Sequence, residues 1–170
     1  MDLQKFIRDI PDFPKEGIIF KDITPLLKDA AAFDEAINRM IDYYQNFDFD
    51  YIVGIEARGF LFGAPMAIRM GKGFIPIRKP GKLPGEILSK SYDLEYGSNE
   101  IEIHRDAIAP GDKVLIIDDL LATGGTIVAA VQLIEELGGE VAGIGFLYEL
   151  SSLKGRELLA AYDVFSLMKE

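Results

Sequence analysis

The sequence predicts an α/β fold, a doubly wound, mainly parallel sheet flanked by helices, and three observations predict it. Four apolar runs, 51–55, 73–77, 114–117 and 141–148, lack the polar alternation of half-exposed strands and read as strands covered on both faces. Segments of helical period lie between them. Phe33, Ala36, Ile37, Met40, Ile41 and Tyr44 recur at i, i+3, i+4, i+7, i+8 and i+11, and Ile127, Val131, Ile134 and Leu137 share one helix face. Strands joined by a connection as long as a helix must run parallel.

In chain order, residues 2–9 are weakly helical, and Pro11, Pro14, Gly17 and Pro25 make 10–25 irregular. A strong amphipathic helix covers 30–46. The strand 51–55 leads into a helix over 59–70 that stops near Gly71, and 73–77 is the next strand. Residues 79–98 differ from their surroundings: Lys-Pro-Gly-Lys-Leu-Pro-Gly-Glu is basic, and a polar and aromatic stretch follows. A tract of that length without a clear period reads as a flexible lid, holding at most a marginal hairpin whose return strand carries Ile101 and Ile103. Pro110-Gly111-Asp112 is a turn. The strand from Val114 is closed by Asp118 and Asp119, and a helix over 126–137 is stopped by Gly138-Gly139. The strand 141–148, a short helix over 152–161 and a last strand over 164–167 complete a single domain, 1–170, with no repeat or linker.

Composition narrows the function. Of 170 residues 49% are hydrophobic, so the chain folds around a real core. Lys plus Arg number 18 against 28 for Asp plus Glu, net −10, which argues against nucleic acid or an anionic membrane as partner but not against a small anion held by a local basic cluster. Cysteine is absent, which excludes disulfide and thiolate chemistry. The N-terminus lacks the shape of a signal peptide, and no apolar run nears the roughly 18 residues of a membrane span. A cytoplasmic location is expected.

The most informative stretch is Val114 to Thr126: apolar strand, two acids, Leu-Leu-Ala-Thr-Gly-Gly-Thr, then a helix. Carboxylates accept hydrogen bonds only, and a ribose diol offers two donors. Ala122, Thr123, Gly124, Gly125 and Thr126 bring free N–H groups to the positive end of a helix, where a phosphate monoester fits. Alone, the acids would equally suit a helix cap or a metal site, and the turn a plain N-cap. In alternation the two acids leave the strand on opposite faces unless it has already turned. Neither the P-loop pattern nor the dinucleotide fingerprint is present. His104, the only histidine, sits beside Arg105 and Asp106 and reads as a surface residue.

The acid pair and Thr-Gly turn resemble the 5-phosphoribosyl-1-diphosphate motif of the type I phosphoribosyltransferases. Four further stretches resemble the adenine-specific branch of that family. They are Phe13-Pro14-x-x-Gly17-x-x-Phe20-x-Asp22-Ile23-Thr24-Pro25, Ala57-Arg58-Gly59-Phe60-Leu61-Phe62-Gly63, the 78–85 tract and Tyr92-x-Leu94-Glu95-Tyr96-Gly97. Glu149-Leu150 and 152–156 continue the likeness over nearly the whole chain. The resemblance implies transfer of a phosphoribosyl group to adenine, giving AMP and diphosphate with Mg²⁺, in a homodimer. Asp118 and Asp119 would hold the ribose and residues 122–126 its phosphate. Arg58, Arg78, Lys79 and Lys82 would hold diphosphate, with Arg58 and Glu95 as catalytic residues and Glu95 taking the purine proton. Tyr96 would sit with Glu95 at the tip of the 79–98 lid. Residues 1–28 would form a hood in which Ile19 and Lys21 meet adenine through backbone and Phe20 stacks on it, with Leu150 on the other face. That backbone is expected to be free because it belongs to no sheet or helix. The family often holds a strained, sometimes cis, peptide at the place of Glu56-Ala57. Mg²⁺ would ride mainly on substrate oxygens, with no protein metal ligand.

Two other readings stay open on the residues: a phosphoribosyltransferase for a 6-oxopurine, xanthine or pyrimidine, and a non-catalytic sensor of phosphoribosyl diphosphate. The net charge and the lack of a DNA-binding element weigh against the second.

Overall fold

A computed structural model describes residues 1–93 and 97–170. The chain opens with a 3-10 turn, Leu3–Phe6, where the Asp2 carboxylate accepts the Gln4 amide. Strand β1 (Arg8–Ile10) then pairs antiparallel with β2 (Phe20–Asp22). This corrects two expectations. Residues 2–9 are not one helix, and the 10–25 stretch is irregular only between the two strands. Pro11, Pro14 and Gly17 close the loop without reaching the paired residues. Helix α1 (Thr24–Lys28) has its proline in the first turn, where no amide bond is lost. Helix α2 (Ala30–Tyr44) is capped by the Asp29 carboxylate and buries Ala36, Ile37, Met40 and Tyr44 of the stripe its periodicity marked, together with Ala32, while Phe33 and Ile41 of that stripe are half-buried.

Strand β3 (Tyr51–Ile55), helix α3 (Arg58–Met70) and strand β4 (Gly73–Ile77) form the first parallel unit. Gly71 ends α3 in the left-handed conformation, at φ 66°. Strands β5 (Ile87–Asp93) and β6 (Ser98–His104) make a full antiparallel hairpin, more regular than the polar tract implies. It is held by the alternation of Ile101 and Ile103, both buried. Strand β7 (Lys113–Leu121), helix α4 (Gly125–Glu136), strand β8 (Glu140–Glu149) and strand β9 (Val164–Lys169) complete the sheet. The helix expected over 152–161 is instead two 3-10 turns, Ser151–Leu153 and Gly155–Leu159, separated by Lys154 at φ 58°.

The five strands of the central sheet are parallel, in the order β4-β3-β7-β8-β9. Alternation along each strand sorts its residues between two cores. Ile52, Leu115 and Ile117 pack with α2 and α3 on one face, while Val53, Ile55, Val114 and Ile116 pack with α4 and the hairpin on the other. The sheet is therefore buried on both faces, as its unbroken apolar runs require.

Candidate active site

The strand order reverses between β3 and β7. From β3 the chain passes through α3 on one face to β4, and from β7 it passes through α4 on the other face to β8. Connections that diverge in this way leave a crevice beyond the carboxyl ends of the two strands, which is where open α/β sheets take ligands. Glu56 and Arg58 follow β3 into a cleft of about 660 Å³ there, facing Arg78, Lys79, Tyr92, Asp118, Asp119 and Thr126. A smaller hollow of about 230 Å³ adjoins it, lined by residues 118–127 with Arg58 and Phe146. Arg58, Asp118, Asp119 and Thr126 belong to both.

The acid pair does not close β7, as the sequence reading had it. The strand runs on to Leu121, pairing Asp118 with Phe146 and Leu120 with Tyr148. Both acids nonetheless line the same crevice. The Asp119 carboxylate takes the Nε of Arg58 at 2.8 Å, and Asp118 accepts the Asp119 amide at 2.8 Å. Burial, reinforced by the neighbouring Asp119 charge, pushes the Asp118 carboxyl well above its ordinary range. Asp118 is packed closely by Gly59, where a Cβ would stand 3.0 Å from its Oδ1 and 2.8 Å from the Ile117 carbonyl oxygen. Helix α3 can start against the acids only because that residue has no side chain.

The turn after β7 is held from beneath. Gly124 caps α4 at φ 90°, with no side-chain cap, so neither Thr123 nor Thr126 is spent on the helix end. The Thr126 hydroxyl instead donates to Tyr92 on the hairpin at 3.0 Å. Gly155 lies buried directly under the turn. A Cβ there would stand 2.3 Å from the Ala122 carbonyl oxygen and 3.0 Å from the Gly124 nitrogen. The segment carrying Gly155 is fixed by Arg156, which bonds both Glu149 carboxylate oxygens through Nε, the Val164 carbonyl at 2.7 Å and Ser166 at 3.0 Å.

Two of the basic side chains, Arg78 and Lys82, meet on one acid. The Glu56 carboxylate receives Lys82 Nζ at 2.7 Å, the Lys79 amide at 2.8 Å and Arg78 Nη2 at 3.2 Å. Although burial opposes its charge, these three donors lower its pKa to about 2. The Glu56–Ala57 peptide is cis.

The hood reaches the site through Phe20, whose ring lies 5.2 Å from the Arg58 guanidinium and meets Phe13 edge-on at 5.1 Å. The expectation that residues 19–21 are uncommitted fails for Phe20 and Lys21, which pair with Ile10 and Asp9. A two-stranded ladder still leaves one edge of β2 unpaired, so backbone donors and acceptors remain. Ile19 is exposed, and the Lys21 side chain, only 8% exposed, is turned to Asp9 at 2.8 Å and Glu170 at 2.6 Å. Leu150 follows β8, its amide bonded to the Leu121 carbonyl beside the turn. Glu95 and Tyr96 lie outside the described residues. His104 stands apart from the cleft, its Nε2 2.8 Å from the Pro84 carbonyl.

Residues 21–170 match the family model of the phosphoribosyl transferase domain. The chain belongs to the phosphoribosyl transferase family. It is similar to the adenine phosphoribosyltransferase of Halothermothrix orenii, 70% identical over 170 residues and the whole of both chains. The crystal structure of adenine phosphoribosyltransferase from Thermoanaerobacter pseudethanolicus superposes with a TM-score of 0.97 at 57% identity, covering 99% of this chain and 98% of that one. The Saccharomyces cerevisiae enzyme, solved with an imino-altritol bisphosphate and adenine, does so at 0.91 and 42% identity, covering 98% and 96%.

Within this phosphoribosyltransferase fold, sequence reasoning found the acids, the turn and the basic residues but missed three side chains or positions that organise them. Glu56 was visible as an acid just past a strand end. Tyr92 stood in a tract already marked as unusual. Gly155 gave no local signal, because its need for a bare Cα comes from Ala122, far away in sequence.

Proposed function

We propose that the protein transfers the 5-phosphoribosyl group of 5-phosphoribosyl-1-diphosphate to adenine, giving AMP and diphosphate. The observation that carries this reading is the meeting, at one switch point, of an acid pair, an uncapped glycine turn and a basic cluster joined through Arg58 to an aromatic hood. Adenine as the base follows from the activity named for its close relatives.

Asp118 and Asp119 would accept the ribose 2′ and 3′ hydroxyls, leaving the 5-phosphate over the amides of 122–126. Arg58, Arg78, Lys79 and Lys82 would face the diphosphate and neutralise charge as it leaves. The sugar carbon would then gain oxocarbenium character, and adenine N9 would attack from the opposite face, inverting the centre. The 79–98 lid would exclude water, and Glu95 would accept the purine proton. Mg²⁺ would supply further neutralisation of the leaving group. The cleft lining, which carries Arg58, Arg78 and Lys79, suits diphosphate better than a bare cation, so the ion would arrive on the diphosphate oxygens. A homodimer is also proposed, with Leu61 and Ile68, 38% and 82% exposed along α3, on the joined surface. Among the described residues no helix is long and apolar enough to cross a membrane, and a cytoplasmic setting suits the reading.

Incubation with 5-phosphoribosyl-1-diphosphate, Mg²⁺ and single purines tests the proposal. Adenine is expected to yield AMP. Comparable turnover of hypoxanthine or guanine would replace the proposed base. The hood makes a second expectation. Lys21→Met removes the ammonium that ties β2 to Asp9 and Glu170, so the KM for adenine should rise several-fold while that for the sugar substrate holds. Equal rises in both would place Lys21 elsewhere in the mechanism.

A further inference from the structure

Glu56 is spent in a way the reaction itself does not require. Its side chain is 7% exposed, and its two oxygens take Lys82, Arg78 and the Lys79 amide, groups placed above against the diphosphate. One carboxylate therefore does for these donors what a phosphoryl group would do. The donors are not equally fixed. The Arg78 backbone is bridged to Glu102 in both directions, at 2.9 and 2.7 Å, and its buried Nε has no hydrogen-bond partner among the described residues, so it stays at the cleft floor with a donor in reserve. Lys82 follows Pro80 and Gly81, the latter at φ 79° with its amide 3.3 Å from the Glu102 carboxylate, and its side chain is 48% exposed. An ammonium on a four-carbon stem is a point charge that changes partner without changing backbone.

We infer that Glu56 is a positioning residue of the diphosphate subsite, which competes with the diphosphate for Lys82 and hands that lysine over when the ligand binds. The inference rests on the proposed function. Its consequence is that the start of the 79–98 segment is drawn from the cleft wall toward the ligand by the ligand's own charge. Glu56 thus sets the affinity for diphosphate by what it withholds. Its three donors hold the carboxyl at about 2, so it is charged at neutral pH.

Calorimetric titration of inorganic diphosphate, with Mg²⁺, into wild-type protein and variants tests it. Glu56→Gln leaves Lys82 without its counterion, and Glu56→Asp keeps the charge but shortens the reach. Both should bind diphosphate tighter, by roughly three- to tenfold, the range of a partly exposed charge-assisted bond. The gain should vanish when Lys82→Met is added. Affinity in Glu56→Gln within twofold of wild type, or weaker, overturns the inference. So does an equal gain in the Lys82→Met background, which would reduce the effect to the bare charge of Glu56. Failure of the wild-type protein to bind diphosphate at all would instead count against the proposed function.

Discussion

Gly155→Ala is expected to raise the KM for 5-phosphoribosyl-1-diphosphate roughly tenfold or more and to lower the melting temperature. The new methyl group would stand 2.3 Å from the Ala122 carbonyl oxygen, and the atom it meets is backbone. No flexible side chain can swing aside, so either the 122–126 turn or the 3-10 turn beneath it must move. Arg156 holds the lower segment to Glu149, Val164 and Ser166, which directs the displacement into the upper one. Overpacking of this kind costs about 1–3 kcal/mol. A turn whose amides must converge on one phosphate tolerates less movement than the fold does. Steady-state kinetics with each substrate varied, together with a thermal melt, would check both parts. A variant with wild-type KM for the sugar would show that the turn is not the phosphate site.

Asp119→Ala should lower kcat/KM for 5-phosphoribosyl-1-diphosphate by about ten- to a hundredfold. The estimate takes one charge-assisted hydrogen bond to a ribose hydroxyl at about 1.5–3 kcal/mol. A second loss adds to it. The Asp119 carboxylate, itself buried, holds Arg58 at 2.8 Å, and Arg58 lies 5.2 Å from the Phe20 ring. Removing the acid therefore frees a side chain that joins the sugar corner to the hood, so kcat should fall as well as KM rise. Wild-type kinetics in this variant would remove the acids from ribose recognition.

The strands and helices of the sheet were legible because each is strongly patterned. The α2 stripe and the runs at 51–55 and 114–117 need no tertiary information to declare themselves. The elements that went astray are short ones decided by distant partners. Phe20 and Lys21 become strand only because Arg8–Ile10 lies beside them, and 152–161 becomes two 3-10 turns around a left-handed Lys154. The acid pair misled in a different way. Two charges inside a strand look like its end, yet β7 continues because β8 keeps pairing with it to Glu149. At the site, the acids, the glycine turn and the basic residues announced themselves by type and spacing. Those that aim them, Glu56 beneath the cations and Gly155 beneath the turn, act across contacts that no linear pattern records.

The most direct measurement is a crystal structure of the protein with AMP bound. The account predicts the 5-phosphate within hydrogen-bond distance of the amides of 122–126, the ribose hydroxyls on Asp118 and Asp119, and the adenine against Phe20. A nucleotide seated away from the β3–β7 crevice, or reversed so that its base faces the turn, would contradict it.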